Sequence, residues 1–79
     1  MYTKKILMRM DWTKVNAFCN ICNDRDMDIN VMCGRDCRDG KSVLGMVAFN
    51  GRIVEIIPVT DDEAKYEEFY SRVKAIGGY

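Results

Sequence analysis

The chain has 79 residues, no histidine, and 12 basic against 12 acidic side chains, for a formal net charge of zero; this balance removes the broad electrostatic attraction on which non-specific nucleic-acid or anionic-membrane binding depends. So short a chain buries only roughly 60% of the surface its unfolded form exposes, so one modest core and one domain, residues 1–79, are expected. A hydrophobic fraction of 48% without low-complexity runs suits a folded protein, while the lack of any apolar stretch near the roughly 20 residues of a membrane span, or of a signal-peptide h-region, predicts a cytoplasmic protein with no membrane or nucleic-acid partner.

In Thr3 to Met10, Ile6, Met8 and Met10 alternate with Lys5 and Arg9, the period of a half-buried strand that only Leu7 interrupts. From Asp11 the period changes. Val15, Phe18, Cys19 and Cys22 recur at i, i+3, i+4 and i+7, which stacks them on one face of a helix over Trp12 to Asn23, with the Asp11 carboxylate as N-cap. Met27 to Cys33 alternates again, with Ile29, Val31 and Cys33 on one face, and Gly34-Arg35 turns it into a short partner strand, Asp36 to Arg38, ending at Asp39-Gly40.

Ser42 then precedes Val43 to Phe49, a stretch long enough for two helical turns capped by the serine hydroxyl and stopped by Asn50-Gly51. Arg52 to Val59 is rich in β-branched residues and reads as a strand, with Pro58 near its end, where a missing ladder donor is tolerable. Thr60-Asp61-Asp62-Glu63 matches a capping box, and Tyr66, Phe69, Tyr70, Val73 and Ile76 form the apolar stripe of a last helix ended by Gly77-Gly78. The order β-α-β-β-α-β-α implies an α+β fold: an open-faced β-sandwich with a four-stranded antiparallel sheet and three helices on one face.

The segment Asp39-Gly40-Lys41-Ser42-Val43-Leu44-Gly45-Met46 resembles the stretch around the regulatory serine of the histidine-containing phosphocarrier protein (HPr) family of the bacterial sugar phosphotransferase system. There a Lys-Ser pair, two apolar residues, a glycine and another apolar residue open a short second helix. Asp28-Ile29-Asn30-Val31 is similar to that family's second strand at the matching distance upstream, and the element order is the family's own. The family's phosphate-carrying histidine sits at the start of the first helix, followed by an arginine that stabilises the phosphoryl group and by a proline. A gapless count from Lys41-Ser42 places Asp11, Thr13 and Lys14 at those three positions, so none is kept.

Asp11 therefore reads as a helix cap with no catalytic role. It has no acidic neighbours in its own segment to hold the magnesium that phosphotransfer onto a carboxylate requires. The resemblance implies that Ser42 is the regulatory site, modified by a dedicated serine kinase, and that the phosphoprotein binds a transcriptional regulator in carbon catabolite control. It also implies that Lys41, Val43, Leu44 and Val47 form the docking surface for protein partners, including phosphotransferase-system proteins. A serine N-cap and scattered exposed aliphatics explain the same residues without any such role.

The alternative function class is a small zinc-binding module, since Cys19-x-x-Cys22 and Cys33-x-x-x-Cys37 supply four thiols. Against it, Cys19 and Cys22 continue the apolar stripe of the first helix and Cys33 the inward alternation of its strand, where reduced cysteine acts as a small hydrophobe. Trp12 between Arg9 and Lys14 reads as a solvated start to the helix, and Asp61, Asp62 and Glu63 as complements to a helix dipole. No Ser-His-Asp, Cys-His, phosphate-loop or dinucleotide signature occurs, which argues against an enzyme and leaves no cofactor to expect. The leading expectation is a regulatory, protein-binding domain and not a histidine phosphocarrier.

Overall fold

Among the described residues the alternating and helical stripes resolve into seven elements in the expected order: β1 (Ile6–Met10), α1 (Trp12–Asn23), β2 (Asp28–Cys33), β3 (Asp36–Asp39), α2 (Val43–Val47), β4 (Arg52–Val59) and α3 (Glu63–Ala75). The computed structural model describes residues 6–77. Thr3, Lys4 and Lys5 of the expected first strand, and Gly78, lie outside the described residues.

The four strands form one antiparallel sheet in the order β1-β4-β2-β3. Because strand side chains alternate between faces, register decides what is covered. Ile6 opposes Ile56 and Met8 opposes Val54 across β1 and β4, and Val31 opposes Ile56 across β2 and β4. All are buried, together with Met10 and Ile29, against Val15, Phe18, Cys19 and Cys22 of α1, Met46 and Phe49 at α2, and Tyr66, Phe69 and Val73 of α3. Each of the buried valine, isoleucine, methionine and phenylalanine side chains contributes about 1.5–3 kcal/mol relative to staying exposed. The other sheet face carries Leu7, Arg9, Asn30, Ile53 and their neighbours toward solvent.

Several local expectations need correction. The last helix is capped by Asp62, whose carboxylate accepts the N–H groups of Ala64 and Lys65, and not by a Thr60–Glu63 box. Thr60 instead turns its hydroxyl to the Asp62 N–H at 3.0 Å, a serine/threonine-type turn that leads the chain into the cap. The second helix stops at Val47 and finishes in turns through Asn50. β2 begins at Asp28, with Met27 buried just ahead of it, and β3 extends one residue further, to Asp39. Pro58 sits opposite Ile29 in a central strand, yet Ile29 sends its carbonyl to the Gly40 N–H at 2.8 Å on the other side. The β2 side therefore makes no demand on the donor that Pro58 lacks.

Candidate functional site

The turn that presents Ser42 is held on three sides. The Asp39 carboxylate accepts the Lys41 N–H at 2.9 Å and the Asp39 carbonyl accepts the Ser42 N–H at 3.0 Å, a side-chain turn superposed on a backbone turn. Asn23, at the end of α1, donates its amide to the Cys19 carbonyl at 2.8 Å and to the Lys41 carbonyl at 3.4 Å. Beneath the turn Gly40 is buried, and a Cβ there would meet Ile29 Cγ2 at 3.0 Å and Cys22 Sγ at 3.1 Å. Its glycine is required by space rather than by a left-handed backbone.

Ser42 caps α2 as expected, its Oγ accepting the Gly45 N–H at 3.2 Å. Gly45 and Met46 face the core, so Val43 and Val47 are left about half exposed and Leu44 is 85% exposed. A five-residue helix with one buried edge must turn its remaining apolar residues outward. Gly45 also lets Arg38 pass: the Arg38 Cβ and Cδ lie 3.3 Å from where a Gly45 Cβ would stand, and its guanidinium lies 5.7 Å from the Phe49 ring centroid. The structure thus brings Ser42, Lys41, Val43, Leu44 and Val47 onto one corner of the molecule, flanked by Arg38 and Asp39.

The start of α1 forms a second corner. Asp11 accepts hydrogen bonds from both the N–H and the hydroxyl of Thr13. The Thr13 side chain is the main cause that holds the Asp11 carboxyl below the usual carboxylate range, helped by the Thr13 N–H and the charge of Lys14. The carboxylate is committed to its own helix, as the cap reading expects. Lys14 reaches the end of α3, where a Cβ on Gly77 (φ +116°) would approach its Nζ to 2.8 Å, so its charge complements the negative end of that helix.

Two residues that carry this geometry were not singled out by sequence reasoning. Asn50, read only as a helix stop, accepts the Trp12 N–H at 2.9 Å through its Oδ1, and the neighbouring Gly51 N–H donates to the Met10 carbonyl at 2.7 Å. The end of α2 is thereby tied to the start of α1, which places Trp12, 71% exposed, on the same side as that junction. The signal was an asparagine after a helix, which local pattern cannot assign to a partner 38 residues away.

The four cysteines do not converge, and the zinc alternative is not supported. Cys19 and Cys22 are buried in the core, and burial pushes the Cys22 thiol up to about 12 and the Cys19 thiol upward. Cys33 is half-buried at the rim of the covered face, where Arg52 Nη1 donates to its Sγ at 3.8 Å. Cys37 pairs with Met32 and so points to the opposite, open face. Among the described residues no group of three or more histidine, cysteine or acidic side chains is placed to hold a metal ion. An open cleft of about 370 Å³ between Asp24–Met27 and α3 is lined by the ion pairs Arg25–Glu68 (3.2 Å) and Lys65–Asp26 (3.0 Å). Among the described residues no helix is long and apolar enough to cross a membrane.

Comparison of the sequence with protein-family models gives no match, and comparison with curated proteins gives none. The fold does match solved structures. It superposes on HPr-C-His from Thermoanaerobacter tengcongensis with a TM-score of 0.71 at 17% identity, covering 92% of this chain and 89% of that one. It also superposes on the phosphocarrier protein HPr from Bacillus anthracis with a TM-score of 0.64 at 15% identity, covering 91% and 98% respectively. The chain has the HPr-like fold.

Proposed function

We propose that this chain is a regulatory, protein-binding relative of HPr that works from the α2 corner, with Ser42 as its modification site and Val43, Leu44 and Val47, beside Lys41, as its docking face. The observation that carries this reading is Leu44, 85% exposed within two residues of a serine N-cap whose turn is fixed by Gly40, Asn23 and Asp39. A serine kinase of the HPr family would transfer the γ-phosphoryl group of ATP to Ser42 Oγ. The new anion would sit at the start of α2, next to first-turn N–H groups and Lys41, where added negative charge is tolerated.

Histidine phosphotransfer is closed to a chain with no histidine, and the Asp11 carboxylate in its place is engaged by Thr13. The remaining role is recognition, with phosphotransferase-system proteins or a transcriptional regulator as partners, and one functional unit in residues 1–79 of cytoplasmic placement. The test uses the kinase directly. Leu44→Ser removes an exposed apolar anchor, so kcat/KM for Ser42 phosphorylation should fall about ten-fold while the circular dichroism spectrum is unchanged. An undiminished rate would remove α2 as the docking face.

A further inference from the structure

We propose that the free edge of β3 is a self-association edge, which pairs with β3 of a second copy of this chain to extend the sheet. β3 is one of the two outer strands in the order β1-β4-β2-β3, and all four of its residues, Asp36–Asp39, are exposed. Exposed edges of this kind are templates for another strand unless something prevents pairing. Charge usually does so, and here its arrangement selects one partner.

Which backbone groups face outward follows from the ladder. The Gly40 N–H bonds to the Ile29 carbonyl at 2.8 Å, so the even-numbered residues of this strand turn their N–H and C=O groups toward β2. The odd-numbered residues face the free edge: Cys37 with both its N–H and its C=O, and Asp39 with its N–H, since the Asp39 carbonyl already accepts the Ser42 N–H at 3.0 Å. An antiparallel partner must oppose outward groups to outward groups, which leaves few registers. Placing Asp36 or Asp39 on its own copy sets two carboxylates together, and placing Arg38 on its own copy sets two guanidinium groups together; like charges directly opposite are destabilising.

The remaining register centres on Cys37 opposite Cys37. It sets Asp36 of each copy against Arg38 of the other, and Arg35 against Asp39, because the run Arg35-Asp36-Cys37-Arg38-Asp39 reads as opposite charges about its central cysteine. Every charged residue of the edge then meets its opposite, and the two Cys37 residues exchange backbone hydrogen bonds. Cα atoms of such a pair stand about 5.5 Å apart, within the range a disulfide spans. The two thiols, both on the open face, therefore report on the contact.

The test is concentration-dependent sedimentation of the reduced, full chain at low salt, together with the rate of Cys37–Cys37 disulfide formation on adding diamide, which takes up the two electrons and two protons released. The wild-type chain should self-associate and cross-link. Arg38→Asp sets a second carboxylate against Asp36 at both ends of the paired run and should slow cross-linking about ten-fold. The double variant Asp36→Arg with Arg38→Asp, which restores opposite charges, should return it. That recovery cannot come from the Arg38 contact with Phe49, which the double variant still lacks. A chain that stays monomeric, or cross-linking indifferent to both variants while circular dichroism shows them folded, would overturn the proposal.

Discussion

Asn50 accepts the backbone N–H of Trp12 at 2.9 Å and thereby joins the two corners of the molecule, the α1 start that holds Asp11 and the α2 segment that holds Ser42. The first N–H groups of a helix have no partner inside it, and here one of them is satisfied from a loop far away in sequence.

Asn50→Ala should therefore cost about 1 kcal/mol of stability, the net worth of one such hydrogen bond, and accelerate hydrogen exchange at the Trp12 amide well beyond that expected from the stability loss alone. Urea titration and amide exchange by NMR check both. An unchanged Trp12 exchange rate would mean that this bond does not hold the junction.

Gly40→Ala should be destabilising through overpacking, by about 1–3 kcal/mol, because the added methyl meets Ile29 Cγ2 and Cys22 Sγ in a closed space. Cys22→Ala removes one of those two neighbours, so the double variant should lose less than the sum of the single losses. Denaturation midpoints of the four proteins give the cycle. The same substitutions test whether the Ser42 turn is held from below.

Much of this architecture was legible in the sequence. The stripe Val15, Phe18, Cys19, Cys22 is the buried edge of α1, and Ile6, Met8 and Met10 are the covered side of β1, because periodicity responds directly to which side meets the core. The caps Asp11 and Ser42 were legible for the same local reason. At α3, two overlapping signals competed: Thr60 and Asp62 both suit a cap, and the pattern could not tell which hydroxyl or carboxylate the helix would use. The Asn50–Trp12 tie and the tight seat of Gly40 depend on tertiary approach, which spacing along the chain does not encode. The cysteines were ambiguous until register put Cys37 on the open face and Cys22 in the core.

The thiols should divide by burial. A thiol reagent at mildly alkaline pH should label Cys37 fastest, while Cys19 and Cys22 react only as fast as the chain unfolds, since the thiolate is the reactive form and burial keeps both thiols protonated. For Cys22 the folded value is raised from 9.0 to about 12. Its contribution to stability is thus complete below about 9 and is lost as pH rises from there toward about 12, where the unfolded chain sheds a proton that the folded chain retains. Cys22→Ala should be less stable at neutral pH through the cavity it leaves, yet show a shallower alkaline decline. Denaturation midpoints across that pH window, together with peptide mapping of the labelled thiols, give the comparison.

The central claim is that this fold acts through Ser42 on α2 and not through a carrier group at the start of α1. Labelling the protein side by side, with ATP and an HPr serine kinase in one arm and with phosphoenolpyruvate and the first enzyme of the phosphotransferase system in the other, tests it most directly. Peptide mass spectrometry should find one phosphate, on Ser42, in the ATP arm alone, and none in Ser42→Ala. Acid-labile phosphate on Asp11 from phosphoenolpyruvate, or a folded protein left unmodified at Ser42 while an HPr control is converted, would contradict it.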